Sequence, residues 1–299
     1  MRIVFIGECM VELAPTEAGL YRMGYAGDTF NWAWHLRYLL GGAHEVTYLT
    51  AVGDDAPSAD MLAFMRREGI DTCHIRTIPG ATPGLYLIRQ ENGDRAFSYW
   101  RSQSAARRLA EDPSALNEAL TGADLICLSG ITLAILDPQS RVLLWEAIAK
   151  SEARVAFDPN IRPQLWPDEA TCREVLSAAA TRSDILLPSF GDEARLFGDS
   201  APAQTAARYA QAGAGEIIVK DGGQPAFIRI GAEEFCVAAP EMAGLLVDAT
   251  GAGDAFNAGW ISARLQGAGP SEAARQAHRH AAKVLAVPGA LLRSQGEEA

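Results

Sequence analysis

Cysteine is scarce and follows no pairing pattern. The 299-residue chain carries 5, and Cys9, Cys73, Cys127, Cys172 and Cys236 stand far apart with no Cys-x-x-Cys. An odd number at such spacings excludes a disulfide framework or a zinc site and fits a reducing cytoplasm. Positive charge is in deficit: 26 Lys and Arg against 37 Asp and Glu give a net charge of −11. That argues against a nucleic-acid-binding surface. It leaves an anionic substrate open, because a site is set by local charges rather than by the total. Long hydrophobic runs are also missing. The longest apolar region, Leu125 to Leu136, is broken by Ser129, Gly130 and Thr132 and is too short to cross a bilayer. The start, Arg2 to Glu8, is too short for a signal-peptide core. No low-complexity tract or internal repeat is present. These absences point to a soluble cytoplasmic protein with no membrane or nucleic-acid partner.

What is present is an apolar fraction of 48%, enough for one large α/β unit or such a unit with a small appendage. Arg2 to Ile6 reads as a buried strand. Alternating runs near Cys9–Leu13 and Tyr21–Tyr25 suggest a hairpin-like excursion, followed by a helix, Trp32 to Leu40, with Asp28 or Thr29 as its cap. Val46–Thr50 is a strand, Pro57–Glu68 a helix and His74–Ile78 a strand. Two β-prone runs, 84–89 and 95–101, flank Asn92-Gly93, a strong hairpin signal. Strands at Leu125–Leu128, Val155–Asp158, Ile185–Leu187 and Glu216–Lys220 then alternate with helices near 113–121, 138–150, 171–180 and 202–212. The core strands are nearly continuous apolar runs, as in a parallel sheet covered on both faces. Ligands belong at the carboxyl ends of such strands. Polar clusters follow five of them: Ser129-Gly130, Asp158 to Arg162, Ser189, Lys220-Asp221-Gly222 and Asp248 to Asp254.

The chemistry centres on Val247-Asp248-Ala249-Thr250-Gly251-Ala252-Gly253-Asp254-Ala255-Phe256. It is read as the end of a short apolar strand (Leu245 to Val247), a small-residue turn and the start of a helix, Ala255 to Leu265. Helix-start N–H groups lack intrahelical partners, and with the helix dipole they form an anion cradle. A carboxylate in such a cradle repels its ligand, so Asp254 points to a proton-taking role and to phosphoryl transfer. Asp254 as a mere helix cap is the plainer alternative. The stretch is not a Walker A loop, since no Gly-Lys-Ser/Thr follows. Nor is it a dinucleotide fingerprint, since Phe256 stands where a third small residue belongs. His278 and His280, two apart on a helix, do not share a face and are rejected as a metal pair. His35, His44 and His74 read as ordinary surface or partly buried residues, and Trp32, Trp34 and Trp145 as core or interface.

Ala26 to Asn31 resembles the N-terminal signature of the ribokinase-like (PfkB) carbohydrate kinases, and Asp248 to Phe256 resembles their C-terminal signature. The similarity runs over essentially the whole chain. Further segments, among them Gly7 to Leu13, Tyr99-Trp100-Arg101 and Asn160 to Trp166, are similar to the members that act on a keto-deoxy sugar acid. The resemblance implies one unit over 1–299: a doubly wound, mostly parallel sheet with a small β-lid from about 8–26 and 84–101. It implies Asp254 as base, with the Gly251, Ala252 and Gly253 amides holding the transferring phosphoryl group of ATP. Mg²⁺ would bridge the phosphates, with Asp192 reached through water, and a requirement for K⁺ is left open. Sugar contacts would come from Gly27, Asp28, Asn31, Tyr86, Tyr99, Ile131, Arg101 and Arg162, the two guanidiniums suiting a carboxylate. Nucleotide contacts would come from Asn160, Arg162, Ser189, Lys220, Gly222, Gly251, Gly253 and His278. Ser189 to Asp192 departs from the family's Asn-x-x-Glu pattern, and Pro225 replaces a glycine often found after the Lys-x-Gly turn. Relatives of this kind commonly pair their lids into a dimer. The alternatives are a kinase for a neutral sugar or nucleoside and a non-catalytic sugar-acid binder.

Overall fold

The structure, a computed structural model, describes residues 1–16, 19–91, 94–241 and 246–292. The chain opens with β1 (Arg2–Ile6) and two lid strands, β2 (Met10–Pro15) and β3 (Tyr21–Ala26). Next come α1 (Asp28–Leu40), β4 (Glu45–Leu49), β5 (Ala51–Val52), α2 (Ala56–Arg67) and β6 (Arg76–Thr77). The second lid hairpin is β7 (Leu85–Glu91) and β8 (Asp94–Trp100). An alternating series follows: α3 (Pro113–Leu120), β9 (Leu125–Ser129), α4 (Gly130–Ile135), α5 (Pro138–Lys150), β10 (Arg154–Asp158), α6 (Glu169–Ala180) and β11 (Ile185–Leu186). The last third holds α7 (Phe190–Phe197), α8 (Pro202–Gln211), β12 (Glu216–Val219), β13 (Ala226–Ile230), β14 (Glu233–Val237), α9 (Ala252–Leu265) and α10 (Pro270–Leu285).

The main sheet has eight strands in the order β14-β13-β12-β11-β10-β9-β1-β4. It is parallel from β4 to β12, and β13 and β14 extend it antiparallel. Alternate residues of β1 enter opposite layers: Val4 and Ile6 pack with Leu116, Leu144 and Leu176, whereas Ile3 and Phe5 pack with Trp32, Leu36 and Trp260. Both faces are therefore covered, which is why these strands read as unbroken apolar runs. Burial of a large apolar side chain such as Phe5 or Leu144 contributes about 1.5–3 kcal/mol. The lid is a separate four-stranded sheet, β3-β2-β7-β8, antiparallel except where β2 meets β7.

Several expectations need correction. Asp28 and Thr29 do not cap α1; they lie inside it, and Gly27 is the cap residue without a side-chain bond. A side chain at 27 would meet the Glu8 carbonyl at 2.1 Å, so the lid-to-helix crossing admits only glycine there. No strand precedes the Gly-Ala-Gly turn among the described residues. Leu246 and Val247 are exposed and irregular, and the Val247 and Asp248 amides donate to the Leu285 carbonyl instead. The sheet edge is already taken by the β13–β14 hairpin, which sequence reading passed over. His74–Ile78 yields only the two-residue β6. His35 is fully buried. The Asn92-Gly93 turn, Leu245 and the tail from Arg293 lie outside the described residues, yet β7 and β8 pair in the register expected of a hairpin.

Candidate active site

A cleft of about 1000 Å³ opens between the lid and the carboxyl ends of the parallel strands. Three helices, α1, α7 and α9, begin at its wall with Gly27, Ser189 and Gly251, and none of the three has a side-chain cap. By contrast α2, α3, α5 and α6, away from the cleft, start with Asp55, Asp112, Asp137 and Asp168 bonded to their first-turn amides. At α1, α7 and α9 the uncapped helix-start N–H groups lie at the cleft, where their dipoles favour an anion; α8 and α10, which start at Ala201 and Gly269 away from it, are also without a side-chain cap.

The turn before α9 is shaped by Gly251, left-handed at φ 75°, where an added Cβ would lie 2.8 Å from Ala290 Cβ. Asp248 fastens the turn from both sides: Oδ1 accepts from the Thr250 amide (3.0 Å) and hydroxyl (2.8 Å), and Oδ2 from the Gly289 amide (2.6 Å). Gly251 and Gly253 reach the cleft, but Ala252 does not; its amide turns back to the Ala249 carbonyl at 3.3 Å. Of the expected trio of anion-binding residues, the first and third line the cleft.

Asp254, in the first turn of α9, sits on the cleft floor, and its Oδ2 accepts from Asn31 Nδ2 at 2.8 Å. Oδ1 has no hydrogen-bond partner among the described residues. Burial pushes the carboxyl well above its usual range, the Asp28 and Asp158 carboxylates push the same way, and the Asn31 bond and Lys220 oppose them. Such a group accepts a proton readily, as a general base must. Asp28 is steadied by Asn160 Nδ2 at 2.8 Å, and Asn160 is held left-handed at φ 34°. Asn tolerates that region better than most residues, and strain of this kind gathers at functional sites.

The structure brings Gly27, Asp28, Asn31, Tyr86, Tyr99, Arg101, Ile131, Asn160, Arg162, Ser189, Asp192, Lys220, Gly251, Gly253 and Asp254 to this one cleft. It places two others elsewhere. His278 is buried edge-on to Phe256, with its Nε2 on the Val237 carbonyl, and Gly222, left-handed at φ 55°, does not line the cleft. Arg101 is not a free cation: it pairs with Glu8, which is fully buried. Burial raises the Glu8 carboxyl, and the Arg101 charge opposes that rise. Tyr86 donates its hydroxyl to the buried Glu12, so Tyr99 is the lid tyrosine left open. Arg162 is the more accessible guanidinium, contacting its neighbour's carbonyl at 2.8 Å and Asp192 at 3.4 Å. Asp192 is also paired with Arg195, so both its oxygens are engaged. Sequence reading singles out Asp158 as the start of a polar cluster but gives it no role, and it misses Asn257, although that residue lies three positions after Asp254 on the same helix face.

Residues 1–295 match the family described as pfkB family carbohydrate kinase. The chain belongs to the pfkB family. Within it, the chain is 36% identical to the 2-dehydro-3-deoxygluconokinase of Dickeya dadantii, covering 97% of this chain and 96% of that protein. It is 35% identical to the enzyme of the same name from Escherichia coli K12, covering 97% of each. Among solved structures, the PfkB protein from Polaromonas superposes with a TM-score of 0.79 at 29% identity over 94% of each chain. The 2-dehydro-3-deoxygluconokinase from Thermotoga maritima superposes with a TM-score of 0.81 at 18% identity, over 98% of this chain and 96% of that one. The fold is accordingly that of the pfkB kinases, and the protein is a carbohydrate kinase.

Proposed function

We propose that the protein transfers the terminal phosphoryl group of ATP to the C6 hydroxyl of 2-dehydro-3-deoxy-D-gluconate. Asp254 takes the hydroxyl proton as the oxygen attacks. The new oxygen–phosphorus bond forms while the bond to the β-phosphate bridging oxygen breaks, releasing ADP. The Gly251 and Gly253 amides and the start of α9 face the charge that builds on the transferring group. In a largely dissociative transfer, alignment and charge stabilisation supply most of the rate.

The observation that carries this reading is Asp254, a carboxyl held above its ordinary range at an uncapped helix start beside Gly251 and Gly253. The substrate reading is supported by the named relatives and by two guanidiniums, Arg101 on the lid and Arg162 beneath it, in one cleft. Arg162, paired with Asp192 but more accessible, offers its charge, whereas Arg101, balanced by Glu8, offers fixed N–H donors to the sugar carboxylate. Asn160 and Ser189 stand on the nucleotide side. Mg²⁺, when bound, offsets charge on the ATP phosphates. With both Asp192 oxygens in ion pairs, that residue fits the ion only through water, as Mg²⁺ commonly allows. Leu20, Tyr21, Met23, Phe97, Tyr99 and Trp100 leave the lid region rich in exposed apolar surface, which suits pairing of two lids in a dimer.

A coupled ADP-release assay with a panel of sugars tests the function. Turnover on the keto-deoxy sugar acid should exceed that on fructose, ribose or a nucleoside. ADP release with a neutral sugar alone overturns the substrate, and none with any sugar overturns the kinase reading. Repeating the assay with and without added K⁺ settles that requirement.

A further inference from the structure

Beneath the anion turn lies a closed triangle of buried polar groups from three elements: Asp158 at the end of β10, Lys220 just after β12 and Asn257 in α9. Lys220 Nζ donates to Asp158 Oδ2 at 2.7 Å and to Asn257 Oδ1 at 2.9 Å. Asn257 Nδ2 donates to the same Asp158 oxygen at 2.7 Å, and Asp158 Oδ1 accepts from the Asn160 amide at 3.0 Å. The orientation of the Asn257 amide follows from chemistry, since an ammonium can only donate and a carboxylate only accept. Two of the three ammonium protons are thereby committed. Nζ lies 3.7 Å from where a Gly253 Cβ would stand, directly under the turn.

We propose that the Asp158–Lys220–Asn257 triangle is a positioning device that holds the Lys220 ammonium under Gly253 as a fixed cation of the anion turn, while Asp158 limits the charge this cation shows to Asp254. The inference rests on the reading of Asp254 as base. It reassigns Lys220 from a nucleotide contact to a tethered group that acts through its field. A tethered charge costs no reorganisation at the moment of transfer, which is what makes preorganised groups effective. The groups facing Asp254 are Asp28 from α1, Asp158 from β10 and Lys220 after β12, with Arg162 and Asp248 on the same cleft wall. Asp158 and Lys220 push the acidity of Asp254 in opposite directions. That opposition follows from the signs of their charges, so the pH profile of the variants, rather than the fold's stability, separates a positioning device from a scaffold.

The test is the pH dependence of kcat/KM, whose acid limb reports the base in the free enzyme. Lys220→Met should move that limb to higher pH by about one pH unit and lower the plateau roughly 10²-fold, as loss of one anion-hole group does. Asp158→Asn should move the limb to lower pH. The double variant Asp158→Asn/Lys220→Met, which buries no lone charge, should have its limb above that of Asp158→Asn. That comparison carries the test if Lys220→Met does not fold. Limbs that stay put, or shift the same way in both single variants, overturn the device, provided Asp254→Asn has lost its turnover. Near-normal turnover in Asp254→Asn defeats the base reading, and the inference falls with it.

Discussion

Asp254 and Arg101 illustrate what a sequence shows of a single residue. Asp254 was legible as a candidate base because an acid inside an anion cradle works against its ligand unless it has a task of its own, although a helix cap was the plainer alternative. The state of Arg101 was not, because its partner Glu8 lies 93 positions away and only the lid crossing brings them together. This pairing sharpens a prediction. Arg162→Ala should raise KM for the sugar acid at least tenfold and scarcely change KM for a neutral sugar, because one charge-assisted bond is lost. Arg101→Ala should do the same and also lower stability by about 3–5 kcal/mol, since Glu8 would be left as an unpaired buried charge. Steady-state kinetics on both substrates and urea unfolding separate the two effects. Equal KM changes on acid and neutral sugars would defeat the carboxylate argument.

Capped and uncapped helix starts should respond differently to substitution. Asp137 caps α5 through the Ser140 amide at 2.8 Å, and that bond is the first cause of its lowered pKa. Asp137→Ala should cost about 1 kcal/mol, read as a lower urea midpoint with unchanged turnover. Gly251→Ala should act the other way round. Its backbone is left-handed and its Cβ would meet Ala290, so the turn must shift and turnover should fall more than tenfold. The strands and helices of the α/β core were legible because burial on both faces imposes unbroken apolar runs. The β13–β14 hairpin and the missing strand before Asp248 were not, because half-exposed edge strands and irregular loops carry weak periodicity.

Across the whole molecule, α1, α10 and the C-terminal segment meet at His35. Its Nε2 lies 2.8 Å from the Ala290 carbonyl, and His280 Nε2 lies 3.0 Å from His35 Nδ1. Burial lowers His35 to about 4 and His280 to about 3. The unfolded chain, with histidines near 6.5, therefore binds more protons than the folded one below that pH. Stability is full above about pH 6.5 and should fall as pH drops toward 4, by roughly 3 kcal/mol for His35 alone. Urea midpoints measured between pH 4 and 7 check the sign; a flat profile would contradict it. This pair was not legible in the sequence, since positions 35 and 280 come together only when α1 and α10 both pack on α9.

The most direct test of the account is single-turnover phosphoryl transfer by Asp254→Asn at saturating ATP and 2-dehydro-3-deoxy-D-gluconate. The expected rate is about 10²–10⁴ below that of the unaltered protein, the usual worth of a general base, with substrate binding retained. A rate within a few-fold of the unaltered protein would contradict the account.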